Sequence, residues 1–476
     1  MTIHANKIKI GLAGFGLDTY WAQFTGLKER LAGYQSQVAA LLRDCGAEVA
    51  DAGMVDSHDA AERAGEKLSE EGIEALFVFI ATYALSSTLL PIVQRLKKYV
   101  VMLNLQPVPA IDYAAINAMG DRGRMTGEWL AHCQACSSPE FACVLNRARI
   151  PYEIVTGYIG EERVAGEIKE WVDAFGVVAG MRRNRLGILG HYYGGMLDVY
   201  TDTTMQSAVF GTHIEQLEMT ELRAIRDGVG VDAVSAKIDA FREAFNVDPA
   251  CSASELERAA RTSVALDELV RRHRLGALAY YYEGDADARD VDIVTSLIPG
   301  CTLLTGYGIP TAGECEVKNV QAMKIMSLLG AGGSFSEPYA MDFTDDVVLW
   351  GHDGPAHFSL AEERVGLVPL PVYHGKPGSG LSIQMTVRPG GVTLLSVCEG
   401  VDGVFLLAAE GEAVRGPVLE IGNTNSRYRF PCGARSFMDS WSKAGPSHHC
   451  AIGTGHVAGA LAKVAHILDI KFVKVC

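Results

Sequence analysis

Residues 75–107 read ALFVFIATYALSSTLLPIVQRLKKYVVMLNLQP, and this stretch decides the fold. Apolar residues run without a break through ALFVFIA and through most of VVMLNLQP, while the segment between them repeats apolar residues at helical spacing. Strands that are apolar on both faces are typical of a parallel sheet covered by helices on each side. The stretch therefore predicts a β-α-β unit.

The same alternation extends in both directions from this unit. Upstream, KIKIGLAGF at 7–15 and AEVADAGMV at 47–55 predict strands, each followed by a helical segment. Downstream, a new series begins with RLGILG at 185–190 and continues through THIEQLEM at 212–219 to GALAYYYE at 276–283. Strands that alternate with helices predict two doubly wound parallel-sheet α/β domains.

Beyond residue 340 the pattern changes to short alternating runs with glycine and proline between them. This spacing is typical of an antiparallel barrel or sandwich, so we expect a mainly antiparallel, β-barrel-like domain at the C-terminus. The predicted division is an N-terminal α/β domain at 1–180, a central α/β domain at 181–325 and a β-rich domain at 326–476, which carries part of the candidate site.

The composition excludes several classes of partner. The formal net charge of −15 over 476 residues argues against nucleic acids and anionic membranes, because both require a basic surface. The sequence has neither a signal-peptide pattern at its start nor an apolar run long enough to span a bilayer, so we expect a cytoplasmic protein. Eleven cysteines in such a chain are expected to be free thiols. The Cys133–Cys136 pair is read as a half-buried helical pair, with a metal or redox role left as the alternative.

Three glycines, Gly11, Gly14 and Gly16, follow the first predicted strand with the spacing GxxGxG rather than GxGxxG. Two interpretations stay open: a dinucleotide-binding loop, or a strand-to-helix turn that needs the backbone freedom of glycine. Asp51 is the one acid placed to bind a ribose. Turns of this kind also line small-molecule clefts, and the candidate substrate-binding residues on this one are Asp18, Tyr20 and Trp21.

Candidate chemistry is concentrated at 312–352, where Glu314, Glu337 and His352 each lie beside glycine or proline rather than on a charged helix face. The segment GPSHHCAIGTGH adds His448, His449 and His456. Two carboxylates with two imidazoles suit Mn²⁺ or a related divalent ion. The alternative interpretation is that the histidines are hydrogen-bonded structural residues and the glutamates are helix caps or surface charges.

Four segments taken together resemble the L-arabinose isomerase family and its L-fucose isomerase relatives. They are AGEC followed by EVK at 312–318, SFSEPY at 334–339, VLWGH at 348–352 and PSHHC at 446–450. The resemblance implies a manganese ion, or another divalent ion such as Co²⁺ or Mg²⁺, and a homo-oligomer such as a trimer, tetramer or hexamer. The metal ligands that it implies are Glu314, Glu337, His352 and His449. The substrate contacts that it implies are Met196, Tyr282, Phe335 and Tyr339.

The sequence departs from the family where the sugar pocket is shaped. GFGLDTYW at 14–21 stands in place of the family's SQHLYG segment, and NLQPVPAIDY at 104–113 replaces an HTQFN-type segment. The resemblance therefore points to the reaction and leaves the sugar open.

The implied reaction is the isomerisation of an open-chain pentose, or of a deoxy or modified hexose, to its ketose through a cis-enediol. A divalent metal would polarise the carbonyl, with Glu314 mainly moving the proton between C1 and C2 and Glu337 the proton between O1 and O2. Two other classes stay open: a non-catalytic sugar-binding or sensing protein, and an NAD(P)-dependent polyol oxidoreductase that uses the glycine loop.

Overall fold

The computed structural model describes residues 7–281, 288–371 and 379–476. The chain divides into an N-terminal unit that ends at Ala179 and a C-terminal unit that begins at Gly180, and each is described by itself. Within the described residues, no helix combines the length and the apolar composition that crossing a membrane requires.

The N-terminal unit contains a five-stranded parallel sheet. Its helices and strands are β1 Lys9–Phe15, α1 Leu27–Asp44, β2 Glu48–Val55, α2 His58–Glu70, β3 Ala75–Ile80, α3 Ser86–Leu96, β4 Tyr99–Gln106, α4 Tyr113–Ala118, α5 Arg122–Leu130, α6 Ser138–Ala148, β5 Tyr152–Tyr158 and α7 Glu162–Arg182. The strand order is β2-β1-β3-β4-β5, and every residue of β3 is buried. The uninterrupted apolar run at 75–80 thus forms the centre of a sheet covered on both faces.

Close packing explains the glycine loop after β1. A Cβ atom on Gly14 would lie 2.0 Å from Gln35 Oε1, so a side chain at this position would displace the buried Gln35 amide. Gln35 Nε2 in turn donates to Asp51 Oδ1 at 2.6 Å, and the main-chain N–H of Gly53 donates to the same oxygen at 2.8 Å. Because Asp51 is already bonded within the fold, these contacts favour the strand-to-helix turn over a dinucleotide-binding loop.

The C-terminal unit begins with a second parallel sheet, of order β10-β9-β6-β7. The elements of this part are β6 Arg185–Gly190, α8 Thr203–Phe210, β7 His213–Leu217, α9 Met219–Asp227, α10 Val231–Ala244, β8 Asn246–Val247, α11 Ala253–His273, β9 Ala277–Tyr281, α12 Ala288–Val294, α13 Ile298–Gly306, β10 Thr311–Ala312 and α14 Val317–Leu328. Helix α14 contacts β9 and β10 of this sheet and also the strands that follow it. It therefore joins the two layers of the unit.

The remaining residues include a closed antiparallel barrel of six strands. The elements are β11 Gly332–Asp342, β12 Val347–His352, β13 Gly366–Pro369, β14 Leu381–Gln384, β15 Gly390–Gly400, β16 Gly403–Val414, β17 Thr424–Arg429, α15 Ala434–Ala444, β18 Cys450–Thr454, α16 Ala458–Ile467 and β19 Lys471–Lys474. The order β15-β18-β11-β12-β17-β16 closes through the pairing of β15 with β16, and β19 runs parallel to β16 outside the ring. The predicted fold class, two doubly wound parallel sheets followed by an antiparallel barrel, is confirmed.

Two of the short runs expected in the barrel lie elsewhere. Strands β13 and β14 pair with each other and with β8 in a separate three-stranded sheet. Strand β8 comes from the segment predicted as the central domain, so this sheet links the two parts of the C-terminal unit. The three-domain division itself stays a prediction.

The cysteines differ in part from expectation. Cys133 and Cys136 form a disulfide, and so do Cys432 and Cys476. Seven others are free, six of them buried. The expectation of free thiols is therefore right for these seven and wrong for the four bonded ones.

Candidate metal centre

The register of the barrel brings three of the predicted site residues to one end of three adjacent strands. Glu337 on β11 lies opposite Gly351 on β12, and Ser336 lies opposite Cys450 on β18. His352 directly follows Gly351, and His449 directly precedes Cys450. Since neighbouring strands are roughly 4.8 Å apart, this register places the two imidazoles on either side of the Glu337 position.

Glu314 reaches the same place from the loop between β10 and α14. The loop has an unusual backbone, because Glu314 (φ 54°) and Cys315 (φ 53°) both adopt the left-handed conformation. Two successive non-glycine residues in this region are uncommon and carry an energetic cost. The helix starts at Val317, so Glu314 lies three residues ahead of it rather than in its first turn. The loop holds Glu314 Oε2 at 2.8 Å from His449 Nε2.

The donor atoms form two overlapping groups that share His449. In one group, ligand atoms of Glu314, His352 and His449 all lie within 4.8 Å of one another, and in the other the same holds for Glu337, His448 and His449. All four residues predicted as metal ligands are therefore represented in one place. His448 is an addition that the sequence-based ligand set did not contain.

The second nitrogen of His449 is bonded to a buried acid. His449 Nδ1 lies 2.5 Å from Glu316 Oε2, and both side chains are about 1% exposed. The Glu316 carboxylate accepts the Nδ1 hydrogen, so Nε2 is the nitrogen that faces Glu314 and that would bind a metal ion once its own hydrogen is released. Metal-binding histidines commonly have such a carboxylate partner, which fixes the tautomer and the orientation of the ring.

The charges at His449 favour a cation at this position. Burial of the ring opposes protonation, yet the carboxylates of Glu316 and Glu314 outweigh it and raise the pKa of His449 to about 10. Burial likewise acts to raise the pKa of the Glu314 carboxyl, but the imidazoles of His449, His352 and His448 lower it to about 2. Glu314 is thus ionised at neutral pH, which is the form that binds a metal ion.

Packing fixes the orientation of both imidazoles. The ring of Phe335 is fully buried, with its centroid 4.2 Å from that of His352 and 4.3 Å from that of His449. On the other side, a Cβ atom on Gly354 would lie only 2.7 Å from His352 Nδ1. Phe335 therefore packs against both histidines, and the absence of a side chain on Gly354 leaves room for the ring of His352.

His448 is held by an acid from another segment. Asp198 Oδ2 lies 2.6 Å from His448 Nδ1 and accepts the main-chain N–H of His448 at 3.0 Å. The main-chain oxygen of Asp198 accepts hydrogen bonds from Ser447 Oγ and Lys318 Nζ. The loop after β6 is therefore docked onto the turn that carries both histidines.

These atoms fit a divalent cation. Glu314 Oε2 and His449 Nε2 are buried and approach each other without the alignment of a hydrogen bond, so neither atom has a hydrogen-bond partner in the described part of the chain. Buried polar atoms without a partner are rare, and a ligated ion satisfies them. Carboxylate and imidazole donors together suit Mn²⁺ and Co²⁺.

Comparison with known proteins agrees with this geometry. No protein-family model matches the chain. The L-arabinose isomerase of Acidothermus cellulolyticus is 23% identical, over 70% of this chain and 68% of that protein. The L-arabinose isomerase of a Nocardioides species is 24% identical, over 80% and 76% respectively. The sulfoquinovose isomerase of Alkalicoccus urumqiensis is 22% identical, over 70% of this chain and 74% of its own length.

These similarities support the interpretation of the chain as a divergent member of the L-arabinose isomerase family. The resemblance predicted from the four segments is thereby confirmed, and so is the enzyme class, an aldose–ketose isomerase. The homo-oligomer that the resemblance implies stays a prediction.

The other residues predicted from the family resemblance are placed as follows. Tyr339 lies two residues after Glu337, and its Oη accepts a hydrogen bond from Asn423 Nδ2 at 3.0 Å. Met196 lies half-buried in the loop after β6, two residues before Asp198. Tyr282 lies outside the described residues. The substrate contacts predicted for these residues and for Phe335 stay predictions.

The three candidates from the glycine-loop segment belong to the N-terminal unit. Asp18 and Tyr20 bound a short 3₁₀ helix, and Trp21 follows it. Trp21 Nε1 donates to Asp56 Oδ2 at 2.8 Å, and Lys28 Nζ bonds the same oxygen at 2.9 Å. Their predicted part in substrate binding is untested.

Glu316 is a candidate site residue that sequence reasoning missed. It lies inside the segment that carries the resemblance, yet its partner His449 is 133 residues away. The sequence carries no signal for it, because α14 contains Lys318 and Lys324, and only the structure shows that this helix is buried and that Glu316 is about 1% exposed.

Proposed function

We propose that this enzyme is a metal-dependent isomerase that converts an open-chain pentose, or a deoxy or modified hexose, into its ketose through a cis-enediol. The observation that carries the proposal is the meeting of two carboxylates and two imidazoles where the left-handed loop before α14 reaches the barrel. Neither rival class, a sugar-binding protein without turnover or a nicotinamide oxidoreductase, requires this set.

The proposed ligands of the divalent ion are Glu314, Glu337, His352 and His449. When bound, such an ion acts as a Lewis acid that polarises the sugar carbonyl and makes the adjacent C–H acidic. The contribution of the protein is to hold these side chains ready: Glu316 fixes the ring of His449, and Phe335 packs against both imidazoles. Mn²⁺ is the proposed ion, with Co²⁺ or Mg²⁺ as alternatives.

The two glutamates are proposed to carry the protons. Glu314 is ionised and projects from the left-handed loop before α14, which suits a base that removes a proton at C2 and returns it at C1. Glu337 is half-buried on a barrel strand and is proposed to move the proton between O1 and O2. Positioned acids and bases of this kind each contribute about 10²–10⁴-fold to the rate.

The sugar is the open part of the proposal. The relatives are named for two chemically different substrates, a neutral pentose and a sulfonated hexose. Since the chain is 23% identical to the first and 22% identical to the second, neither substrate is assigned to it. A monosaccharide with adjacent carbonyl and hydroxyl groups is the shared chemistry.

The test is a panel of pentoses, 6-deoxyhexoses and sulfonated 6-deoxyhexoses incubated with the protein and Mn²⁺. We expect ketose formation from at least one aldose, with incorporation of solvent deuterium at the carbon that receives the proton. Sugar binding with no turnover across the panel would favour the sensing class instead. A change in nicotinamide absorbance with a polyol would favour the oxidoreductase.

A further inference from the structure

Two buried asparagines at the start of β17 form a hydrogen-bond chain that leads to Tyr339. Asn425 is 2% exposed, and its Oδ1 accepts the main-chain N–H of Leu419 at 2.8 Å while its Nδ2 donates to the carbonyl of Leu419 at 2.8 Å. A main-chain N–H can only donate and a carbonyl can only accept. The orientation of the Asn425 amide is therefore fixed by the backbone.

This orientation is passed to the next amide. Asn425 Nδ2 also donates to Asn423 Oδ1 at 3.0 Å, which directs the oxygen of Asn423 toward Asn425. Asn423 Nδ2 consequently points the other way and donates to Tyr339 Oη at 3.0 Å. An amide NH₂ group cannot accept a hydrogen bond, so the phenol oxygen must be the acceptor in this contact.

The consequence for Tyr339 is that its own hydrogen is directed elsewhere. The ring lies across Gly351, because a Cβ atom there would be only 2.7 Å from Tyr339 Cε2. Gly351 is the residue that pairs with Glu337 and precedes His352, so the phenol lies beside the candidate metal centre. A tyrosine phenol is protonated at neutral pH, so Tyr339 has a hydrogen to donate.

We propose that Asn423, oriented by Asn425, is a positioning residue that holds Tyr339 as a hydrogen-bond donor to an oxygen of the bound sugar. The identity of the ligand as a sugar rests on the proposed function. The orientation of the phenol rests only on the two amides and on the Leu419 backbone.

The test replaces Asn423 with a residue of the same shape that cannot donate. In Asn423→Asp the carboxylate only accepts, so the Tyr339 hydrogen turns toward it and is lost to the ligand. We expect affinity for the open-chain polyols ribitol and arabinitol, measured by calorimetry with Mn²⁺ present, to fall about three- to tenfold. For the sugar that is turned over, KM should rise by a similar factor.

Asn246 provides a matched control for the new charge. Asn246 is exposed and lines, with Asn423 and Asn425, a cavity of about 480 Å³. Asn246→Asp places the same new charge on that wall without a link to Tyr339, and polyol affinity should stay unchanged. If both variants weaken binding equally, the effect is one of charge and the proposal is overturned.

The decisive comparison repeats Asn423→Asp in a Tyr339→Phe background. If Asn423 acts through the phenol, the double variant should bind polyols no more weakly than Tyr339→Phe alone. If the double variant instead loses affinity by the product of the two single losses, Asn423 acts on something other than Tyr339. Should the buried charge prevent folding, Asn423→Ser removes the donor without a charge and should show the same dependence on Tyr339.

The positioning role of Asn423 and the proposed isomerase function can fail independently of each other. A wild-type protein that binds polyols with the expected dependence on Asn423 and Tyr339 but converts no sugar contradicts the isomerase proposal and leaves the positioning role standing. A wild-type protein that isomerises a sugar while the two substitutions multiply contradicts only the positioning role.

Discussion

Glu337→Gln is expected to lower the rate of ketose formation by about 10²–10⁴-fold while the fold stays intact. Glutamine keeps the shape of the side chain but neither takes up nor releases a proton, and it is a weaker metal ligand than a carboxylate. Glu337 is half-buried on a barrel strand, so an amide can be accommodated there. The measurements are the initial rate of ketose formation and the thermal unfolding midpoint of both proteins.

A matched control is available on another strand of the same barrel. Glu412 lies exposed on β16, opposite Arg429 on β17. Glu412→Gln removes one carboxylate from the barrel away from the candidate site, and we expect it to retain the wild-type rate. Ordinary isomerase activity in Glu337→Gln would remove this residue from the proposed mechanism.

Glu316→Gln is expected to weaken Mn²⁺ binding by about 10–100-fold. The change removes the charge that lies 2.5 Å from His449 Nδ1, and with it the strongest constraint on the tautomer and orientation of that ring. The dissociation constant for Mn²⁺ can be followed by calorimetry or by the electron paramagnetic resonance signal of the free ion. The activity lost should return, at least in part, at high Mn²⁺ concentration.

Two comparisons test this second expectation. Glu316→Asp keeps the charge on a shorter side chain and should bind Mn²⁺ more tightly than Glu316→Gln. Equal Mn²⁺ affinity in wild type and Glu316→Gln would mean that the contact to His449 serves packing alone.

Much of the fold could be predicted from the sequence because its signals are local. An apolar run such as residues 75–80 is typical of a strand that is buried on both faces. The alternation of such strands with helices predicts the parallel arrangement. The separate sheet of β8, β13 and β14 could not be predicted in this way. Its pairing joins Asn246 to Gly366 across 120 residues, and nothing in either short strand specifies the other.

In the candidate site, too, some residues could be predicted from local sequence and others only from tertiary contacts. The predicted ligands lie in the four short segments whose residues carry the family resemblance; they are Glu314, Glu337, His352 and His449. The residues that orient them depend on tertiary contacts: Glu316 on His449, Asp198 on His448, and Asn423 on Tyr339. Single acids and amides are common on protein surfaces, so their function becomes visible only when burial and a partner are known.

The most direct test of the account is removal of divalent metal with a chelator, followed by stepwise return of Mn²⁺, with ketose formation from the best aldose as the readout. We predict that activity disappears on chelation and returns in proportion to the Mn²⁺ bound, reaching its maximum at one ion per site. Co²⁺ should restore activity as well, since it accepts the same carboxylate and imidazole donors. Isomerisation at an unchanged rate after complete metal removal would contradict the account.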